Sequence, residues 1–348
     1  MKLGDKVSAK ACLVCGETER TVVGTMGRGL KPLISVLCES CGLVSHDPLP
    51  SPEELAAFYA QAYRQSYKGD LKPKAKHSLR AQRSAALRAV RLKSLLSPGA
   101  RVLDVGASSG EFVYMMGKLG FKACGVEPHD GYRQFGTSTY GIEVTNQRLE
   151  PAAFGAGIFD LITLNHVFEH LAEPLAALAS FKQWLVPGGL LFIEVPNIEG
   201  VQKQRSNLFH YAHVWNFAPP TLIAMLKLAG FEPINSPACN GTSRVFRVAN
   251  PAAVASLEID PFLAHKLRDQ LLQDQSAMAY LGSGAPFRRR WARLLRNIDE
   301  LSTTRRFASL PAMADAVLNQ ALQRAQNLNL SQKIPAHVTA YQPGLTTR

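Results

Sequence analysis

Short apolar runs alternate with amphipathic stretches through the middle of the chain. The first run, Val102-Leu103-Asp104-Val105, stops at a turn rich in glycine and serine, residues 106–110. Runs of about five residues that end in turn residues predict buried strands, and the amphipathic stretches between them predict helices. Because the two alternate, we predict an α/β domain with a mostly parallel sheet.

The same pattern gives the order of elements in this domain. We predict seven strands, the last two forming an antiparallel edge, with four helices between them. The predicted strands cover residues 101–105, 122–126, 142–144, 159–164, 190–195, 231–234 and 244–248. The predicted helices cover residues 111–119, 131–140, 174–185 and 221–228.

Helical patterns flank this domain on both sides. Ser51, as an N-cap before Pro52, predicts a helix start near the N-terminal end. A basic helix follows at 64–93, with an apolar side that we expect to pack onto the next domain, formed by Leu79, Leu87, Leu92 and Leu95. In the C-terminal part, two helices are predicted from the apolar residues Leu263, Leu267, Leu271, Trp291, Leu294 and Leu295.

These patterns divide the 348-residue chain into four parts. We predict an N-terminal module at 1–60, a basic helical linker at 61–96, a central domain at 97–250 and a helical extension at 251–348. Hydrophobic residues make up 46% of the chain and charged residues 19%, which excludes wholesale disorder. No run approaches the ~18 apolar residues of a membrane span, and residues 1–15 carry charges where a signal peptide would be apolar. We therefore expect a cytoplasmic protein.

The net charge of +12 is unevenly distributed. Residues 1–96 and 251–348 are basic, whereas residues 97–250 are nearly neutral. A neutral centre between basic flanks favours a small-molecule pocket in the central domain, with polyanion contacts left to the flanks. The basic run 64–93 suits a nucleic-acid surface or a solvated helix, and it lacks interleaved aromatic residues for base stacking, which favours the helix.

Four of the six cysteines form two pairs with metal-ligand spacing. Cys12 and Cys15 form the first pair, Cys38 and Cys41 the second, and glycine follows each pair. Two such knuckles predict a zinc ribbon with tetrahedral four-thiolate coordination. Disulfides are the competing interpretation, but a cytoplasmic chain would keep these thiols reduced. Because four protein ligands leave no open position, we predict a structural zinc ion.

The first turn of the central domain predicts a nucleoside-bearing cofactor. A strand that ends in glycine at a helix start lets a ligand approach the backbone closely. Glu127 lies 21 residues after Gly106, where a carboxylate accepts both hydroxyls of a ribose. The nicotinamide fingerprint G-x-G-x-x-G is absent because Ser108 occupies its second glycine position, so NAD is disfavoured.

Four ordered segments between residues 90 and 250 resemble class I S-adenosylmethionine-dependent methyltransferases. They are VLDVGASSG at 102–110, GVEP at 125–128, FDLITLNHVFEHL at 159–171 and LVPGG at 185–189. The resemblance implies a Rossmann-like seven-stranded sheet that binds S-adenosylmethionine. The cysteine pairs and PLPSPEEL at 48–55 also resemble the zinc-bearing N-terminal module of bacterial sugar C-methyltransferase-like proteins.

The resemblance also implies roles for individual residues. Asp104 would support the turn, Glu127 would hold the ribose, and Pro128 or its neighbour would pack on adenine. Asn165 and His166 would line the site beyond the fourth strand. The turn itself would wrap the methionine part of the cofactor through Gly106, Ala107, Ser108 and Gly110, although Ser108 replaces the usual middle glycine.

Two motifs point to other chemistries. Residues 106–110 also fit G-x-S-x-G, the nucleophile elbow of α/β-hydrolases, but that interpretation leaves Glu127 and the later segments unexplained. Residues 166–170 fit H-x-x-E-H, a zinc-protease helix motif. Metal binding there needs His166 and His170 on one helical face, whereas the preceding strand places them in its exit loop or first helical turn.

The candidate catalytic residues are histidines with one carboxylate. A histidine with pKa near neutrality suits proton removal from an acceptor, so His166 and His170 are our first choice, with Glu169 as orienter or as the base itself. The interpretation that Glu169 and His170 only orient one another or cap a helix stays open. Within the aromatic segment 207–217, His210 and His213 are our second choice, together with Tyr211 as an acceptor contact.

Methyl transfer to a small-molecule acceptor is the predicted function, and the zinc module favours a nucleotide-linked sugar or glycan precursor. An RNA-modifying methyltransferase is the alternative supported by the basic flanks. A third interpretation, motivated by Ser108, is a non-catalytic zinc-ribbon scaffold. The second predicted C-terminal helix carries five arginines: Arg288, Arg289, Arg290, Arg293 and Arg296. They suit contact with a phosphate-rich acceptor, nucleic acid or an acidic membrane surface. The other interpretation is a packing or dimerisation helix with a solvated basic face.

Overall fold

The structure, a computed structural model, describes residues 1–66, 73–199, 208–249, 259–273, 282 and 284–331. The strands are β1 Lys6–Ser8, β2 Glu19–Gly27, β3 Lys31–Cys38, β4 Val44–His46, β5 Arg101–Val105, β6 Lys122–Val126, β7 Glu143–Thr145, β8 Phe159–Asn165, β9 Leu185–Glu194, β10 Trp215–Asn216, β11 Phe231–Ile234 and β12 Ser243–Val248. The helices are α1 Pro52–Ser66, α2 Ala75–Leu92, α3 Glu111–Lys118, α4 Asp130–Tyr140, α5 Pro174–Trp184, α6 Pro219–Leu228, α7 Pro261–Leu272, α8 Ala285–Thr304 and α9 Leu310–Ser331.

The central sheet has seven strands in the order β11-β12-β9-β8-β5-β6-β7. Strands β5 to β9 pair in parallel, and β12 pairs antiparallel with both β9 and β11. This arrangement confirms the predicted Rossmann-like α/β class and its antiparallel edge. Because β5 lies between β6 and β8, the carboxyl ends of these three strands meet at one edge, where ligands bind in open α/β sheets.

Strand β9 is longer than the sequence predicts. It begins at Leu185 rather than Leu190 and includes Pro187-Gly188-Gly189, which resemble a turn. The pairing with β8 shifts register between Phe159 and Leu161, and Gly188 has a φ of +75°. The extra residues are accommodated as an irregularity inside the strand, which a pattern of turn residues does not distinguish from a loop.

A second, five-stranded sheet is formed by the N-terminal part of the chain and one distant segment. Its order is β1-β2-β3-β4-β10, and β10 comes from residues 215–216, far along the sequence. Helix α7 packs on this sheet through Leu263, Leu267 and Leu271, as their four-residue spacing predicts. The N-terminal module is therefore built together with the segment that follows β9.

Helix α2 connects the two parts by packing on the central domain. Leu79 and Leu92 are fully buried in one cluster with Val102 of β5 and Phe112 of α3, as predicted. Leu87, which we expected on the same face, is half exposed. The reason is geometric, since Leu87 lies five residues before Leu92 and is therefore turned by about 140° around the helix.

The apolar residues of α8 are not covered by the part of the chain that the structure describes. Helix α8 forms as predicted, but Trp291, Leu294 and Leu295 are exposed rather than packed against the described residues. Its contact with the protein is made by charged side chains that reach α2, with Glu300 fully buried there. None of the helices in the described ranges combines the length and apolar character needed to cross a bilayer.

Candidate functional site

The turn after β5 and the carboxylate after β6 are joined by direct hydrogen bonds. The Ser108 backbone N–H donates to Glu127 Oε2 at 2.9 Å, and the His129 N–H donates to Glu127 Oε1 at 2.9 Å. Burial raises the pKa of Glu127, which is 5% exposed, while these two bonds oppose the rise. Each carboxylate oxygen accepts one backbone N–H and so retains capacity for another donor.

The glycines of this turn are required by close packing. Gly106 and Gly110 both have positive φ, at +72° and +80°. A Cβ on Gly106 would overlap the Val167 side chain, and one on Gly110 would overlap Ile142. The turn is therefore held against two neighbouring segments, which explains why glycine occurs at both positions.

Ser108 adopts a backbone conformation that favours glycine. Its φ is +50°, whereas its side chain is exposed and does not fill the space behind the turn. A left-handed conformation costs an L-residue about 1–2 kcal/mol. The serine therefore strains the backbone locally without packing against the interior.

Replacing Ser108 with glycine is expected to raise the free energy of unfolding by about 0.5–1 kcal/mol, because relief of backbone strain exceeds the added entropy of the unfolded chain. Urea denaturation would measure the change. Ser109→Gly is the matched control, since Ser109 is buried and its hydroxyl donates to Glu111, so that variant should be less stable. A destabilised Ser108→Gly variant would show that the serine is not strained.

Asp104 organises the floor of the site. Thr163 Oγ1 donates to Asp104 Oδ1 at 2.6 Å, and Asn165 Nδ2 donates to the same oxygen at 3.1 Å. Complete burial raises the pKa of Asp104 to about 6 against these hydrogen bonds. The side-chain oxygen of Asn165 is buried and has no hydrogen-bond partner in the described residues. It is thus an unused acceptor at the carboxyl end of β8.

A second group of residues follows β8. His166 lies in a tight bend with a φ of +57°, and Phe168–His170 form one turn of 3-10 helix. The two histidines of the H-x-x-E-H motif therefore do not lie on one face of an α-helix. This agrees with the expectation that they lie in the exit loop of the preceding strand or in the first helical turn. Positive φ in a histidine is uncommon, and strain of this kind concentrates at functional sites.

His166 lies between two carboxylates. Its Nδ1 is 3.7 Å from Glu169 Oε1 and its Nε2 is 3.2 Å from Glu194 Oε1. These carboxylates raise the pKa of His166 to about 9, against the effect of burial. Although burial disfavours a charged carboxyl at Glu194, its hydrogen bonds with His166 and Arg88 hold its pKa below the usual range. At neutral pH His166 is therefore a cation and a poor proton acceptor.

This raised pKa predicts a pH-dependent contribution of His166 to stability. The folded state binds the proton more tightly than the unfolded state, so the contribution is complete below pH ~6.5 and is lost as pH rises through about 9. Half of the side chain is exposed, which limits the effect to about 1 kcal/mol. Urea denaturation of wild type and His166→Gln from pH ~6 to ~10 should give converging stabilities. A constant difference would contradict the assignment, and His265→Gln, an exposed histidine of α7, is the control.

His170 is held in one orientation. Its Nδ1 is 2.7 Å from the Ala212 carbonyl oxygen and 2.8 Å from the Tyr59 hydroxyl. Because a carbonyl only accepts, Nδ1 carries the proton, and Nε2 of the neutral ring keeps the lone pair. That Nε2 is 3.7 Å from Oε1 of Glu169, a carboxylate that is 1% exposed and has no hydrogen-bond partner in the described residues.

Two further histidines adjoin this pair. The rings of His170 and His213 meet edge to face at 4.8 Å, and His210 lies 5.1 Å from His213. Burial lowers the pKa of His213 to about 3 and also lowers that of His210. Ligand atoms of Glu169, His170 and His213 all lie within 4.8 Å of one another. Three predicted residues from two segments therefore converge on one point.

Four residues at this site were not identified from the sequence. Arg88 lies within the basic run, Tyr59 lies on α1, and His46 ends β4, where its Nε2 donates to the His210 carbonyl at 3.0 Å. None of these three residues lies in a local sequence motif. The fourth, Glu194, could have been found from the sequence, because it is a carboxylate at the carboxyl end of a strand that neighbours β8.

The four paired cysteines form a compact cluster beneath the second sheet. The Sγ atoms of Cys12 and Cys41 are 3.6 Å apart, and those of Cys15 and Cys38 are 3.4 Å apart. These distances exclude disulfide bonds of about 2.05 Å and are close to the spacing of about 3.8 Å expected for tetrahedral zinc ligands. Both following glycines, Gly16 and Gly42, have a φ of +76°. The donor set and its geometry fit a four-thiolate zinc site.

Comparison with known proteins agrees with this geometry. A family model described as "Methyltransferase domain" matches residues 79–236. Ubiquinone biosynthesis O-methyltransferases of Dinoroseobacter shibae and Nitrosococcus oceani are 28% identical over 153 residues and 31% identical over 154 residues. These alignments cover 39% and 42% of this chain, respectively. The chain spans 62% of either relative's length.

Solved structures are similar to this chain at lower sequence identity. The 1,6-didemethyltoxoflavin-N1-methyltransferase of Burkholderia thailandensis, solved with 1,6-didemethyltoxoflavin and S-adenosylhomocysteine, aligns with 60% of this chain and 96% of its own. The sequence identity is 19% and the TM-score is 0.44. The glycine turn, the carboxylate after β6 and the strand order form a Rossmann-like methyltransferase fold, and residues 79–236 match the methyltransferase-domain model.

Proposed function

We propose that the protein transfers a methyl group from S-adenosylmethionine to a small-molecule acceptor. The observation that carries the proposal is the pair of hydrogen bonds that join Glu127 to the turn after β5 and to His129. These bonds bring the carboxylate that we expect to bind the ribose and the glycine turn into one site. We also propose the division of the chain into an N-terminal module, a linker, a central domain and a helical extension, with boundaries at residues 60, 96 and 250.

The residues at the sheet edge fit the cofactor's functional groups. Glu127 would accept the ribose hydroxyls, and Pro128 would pack on adenine. The unpartnered oxygen of Asn165 suits an ammonium donor, and the positive-φ backbone of the turn at Gly106–Gly110 suits the methionine part. The cofactor, when bound, supplies an electrophilic methyl group.

His170 is the group best placed to remove a proton from the acceptor. Its proton at Nδ1 is fixed by the Ala212 carbonyl, so Nε2 is the basic atom. Glu169, at 3.7 Å, would stabilise the imidazolium that forms when Nε2 takes the proton. His166 is already a cation and His213 has a pKa of about 3, so both are weaker candidates for this step.

The N-terminal module contributes to the acceptor side of the site. Tyr59 contacts His170, His46 contacts the His210 carbonyl, and the Phe58 ring lies 5.1 Å from that of Tyr211. An acceptor held between the two parts would have to be large enough to contact both. This supports a nucleotide-linked sugar or a glycan precursor as the substrate class, with Tyr211 and His210 as contacts.

The cysteine cluster would hold a structural zinc ion that maintains this module. Four thiolates leave no open position, so the ion would fix β2–β4 and the packing beneath α1 rather than take part in the reaction. Val14, Cys38 and Cys41 share one core cluster with Phe168 and Trp215 of the central domain. Loss of the ion would therefore disturb the acceptor side.

Cys38→Ser is expected to remove the bound zinc and to lower turnover about tenfold, while leaving cofactor affinity unchanged. The physical reason is that the module orients Tyr59 and His46, whereas the cofactor site lies on the central sheet. Zinc content by elemental analysis and calorimetry with S-adenosylmethionine would measure the two effects. Cys239→Ser, outside the cluster, should retain zinc, and a zinc-free wild-type protein would contradict the proposal.

Mass spectrometry of products after incubation with labelled cofactor tests the function directly. The panel should contain nucleotide sugars, small phenols and RNA. Labelled nucleotide sugar would support the proposal, whereas labelled RNA, with tight binding that falls steeply with salt, would favour an RNA methyltransferase. A zinc-loaded protein that binds no cofactor in calorimetry would instead be a non-catalytic scaffold.

A further inference from the structure

Helix α8 exposes a continuous apolar face. Its members follow a four-three spacing that places them on one side of the helix. They are Phe287, Trp291, Leu294, Ile298 and Leu301, with Leu295 beside them, and each is between 49% and 65% exposed. Six large apolar side chains exposed on one helix are typical of a surface that binds another protein or a membrane.

Two arginines border the apolar face of α8, and its carboxylates are paired with α2. Arg288 and Arg290 are exposed and lie on opposite sides of the apolar face, about 100° and 60° from Phe287. Both acidic residues pair with α2: Glu300 is buried against Arg80, whereas Asp299 pairs with Arg83 but stays half exposed, on the same side of the helix as Arg288. The exposed surface therefore combines apolar residues with arginines, and the carboxylate at its margin is already paired.

A second copy of this chain does not complement that surface. In a parallel pair of α8 helices, the arginines beside the apolar face would meet the same arginines. In an antiparallel pair they would lie near the other helix end, whose two carboxylates already pair with Arg83 and Arg80 of α2. A second copy therefore adds arginines to this surface and offers no unpaired carboxylate, which opposes association. The complementary occupant is a surface that is anionic and accepts apolar side chains.

We propose that α8 lies flat on the surface of an anionic phospholipid bilayer. Its apolar face would enter the boundary between headgroups and acyl chains, with Trp291 at the centre of that face. Arg288 and Arg290 would extend from both sides to the phosphate groups. Asp299 and Glu300 would stay paired with Arg83 and Arg80 of α2, so the helix would bind without leaving the protein.

Tryptophan fluorescence of the full chain tests this proposal. Of the three tryptophans, Trp184 and Trp215 are buried and Trp291 is 65% exposed, so a blue shift on adding vesicles reports mainly on α8. Vesicles containing phosphatidylglycerol should give the shift and sediment with the protein. Pure phosphatidylcholine vesicles should do so much less, and salt should weaken binding to the anionic vesicles.

Two variants separate the contributions of the face. Leu294→Glu with Ile298→Glu should abolish sedimentation with anionic vesicles. Arg288→Gln with Arg290→Gln should weaken it about 25-fold, at about fivefold for each arginine. Leu228→Glu, which replaces an exposed leucine of α6, is the matched control and should bind like wild type. All substituted side chains are exposed, and circular dichroism would check the fold.

Three outcomes would overturn the proposal. One is wild-type protein that neither shifts nor sediments with phosphatidylglycerol vesicles. Another is a dimer in sedimentation equilibrium that Leu294→Glu with Ile298→Glu dissociates, which would assign the face to a second copy. The third is a shift with an acidic amphipathic peptide and none with vesicles, which would assign it to a protein partner. None of these results depends on methyl transfer.

Discussion

Replacing His170 with glutamine is expected to lower turnover by a factor of about 10²–10⁴ while cofactor binding is retained. The Nε2 atom of His170 is the basic atom on the acceptor side whose proton state is fixed by a backbone carbonyl. Glutamine keeps the size of the side chain and removes its ability to take a proton. Single-turnover kinetics with labelled cofactor and the acceptor found by product analysis would measure the change.

Two further variants make this prediction specific. The double variant His166→Gln with His170→Gln should also lack turnover and still bind S-adenosylmethionine in calorimetry. His265→Gln, on the exposed surface of α7, should behave like wild type. Unchanged turnover in the double variant would refute the role of this segment in catalysis. Loss of cofactor binding in His170→Gln would show instead that the residue supports the cofactor side.

Replacing Glu127 with alanine should weaken S-adenosylmethionine binding about 100-fold, or by about 2.7 kcal/mol. The substitution removes the predicted ribose acceptor, and it also removes the partner of two backbone N–H groups, at Ser108 and His129. Glu127→Gln should lose about tenfold, because an amide oxygen still accepts one of these bonds. Isothermal titration calorimetry would measure both affinities.

Glu143→Gln is the matched control for this series. Glu143 begins the neighbouring strand β7 and is exposed, so its removal should leave affinity unchanged. A Glu127→Ala variant that is folded and binds with wild-type affinity would exclude this carboxylate from the cofactor site. It would also remove the observation on which the proposed function rests.

The contact between the glycine turn and Glu127 was predictable because both lie within local motifs. Glycine, serine and glutamate stand at the ends of consecutive predicted strands, and parallel strands bring their carboxyl ends to one edge. The hydrogen bond from Ser108 to Glu127 follows from that topology. The left-handed conformation of Ser108 did not follow, since serine rarely adopts it.

The histidine cluster was predictable only in part. His170 and His213 were proposed as candidates from their residue types, but their contact depends on how the segment after β9 folds back. Tyr59 and His46 come from the N-terminal module and carry no motif that points to residues more than 100 positions away. For α8 the helical spacing predicted the helix and its apolar side, but it does not say what covers that side.

The pairing of β4 with β10 has a consequence for engineering chimaeras of this protein. Trp215 and Asn216 complete the second sheet, so the segment 208–217 and the strands that carry the cysteine cluster share one hydrogen-bonded layer. If a sequence from another protein replaced residues 208–217 alone, it would have to pair with β4 of this protein. Altering substrate preference by recombination therefore calls for exchanging both regions as one unit.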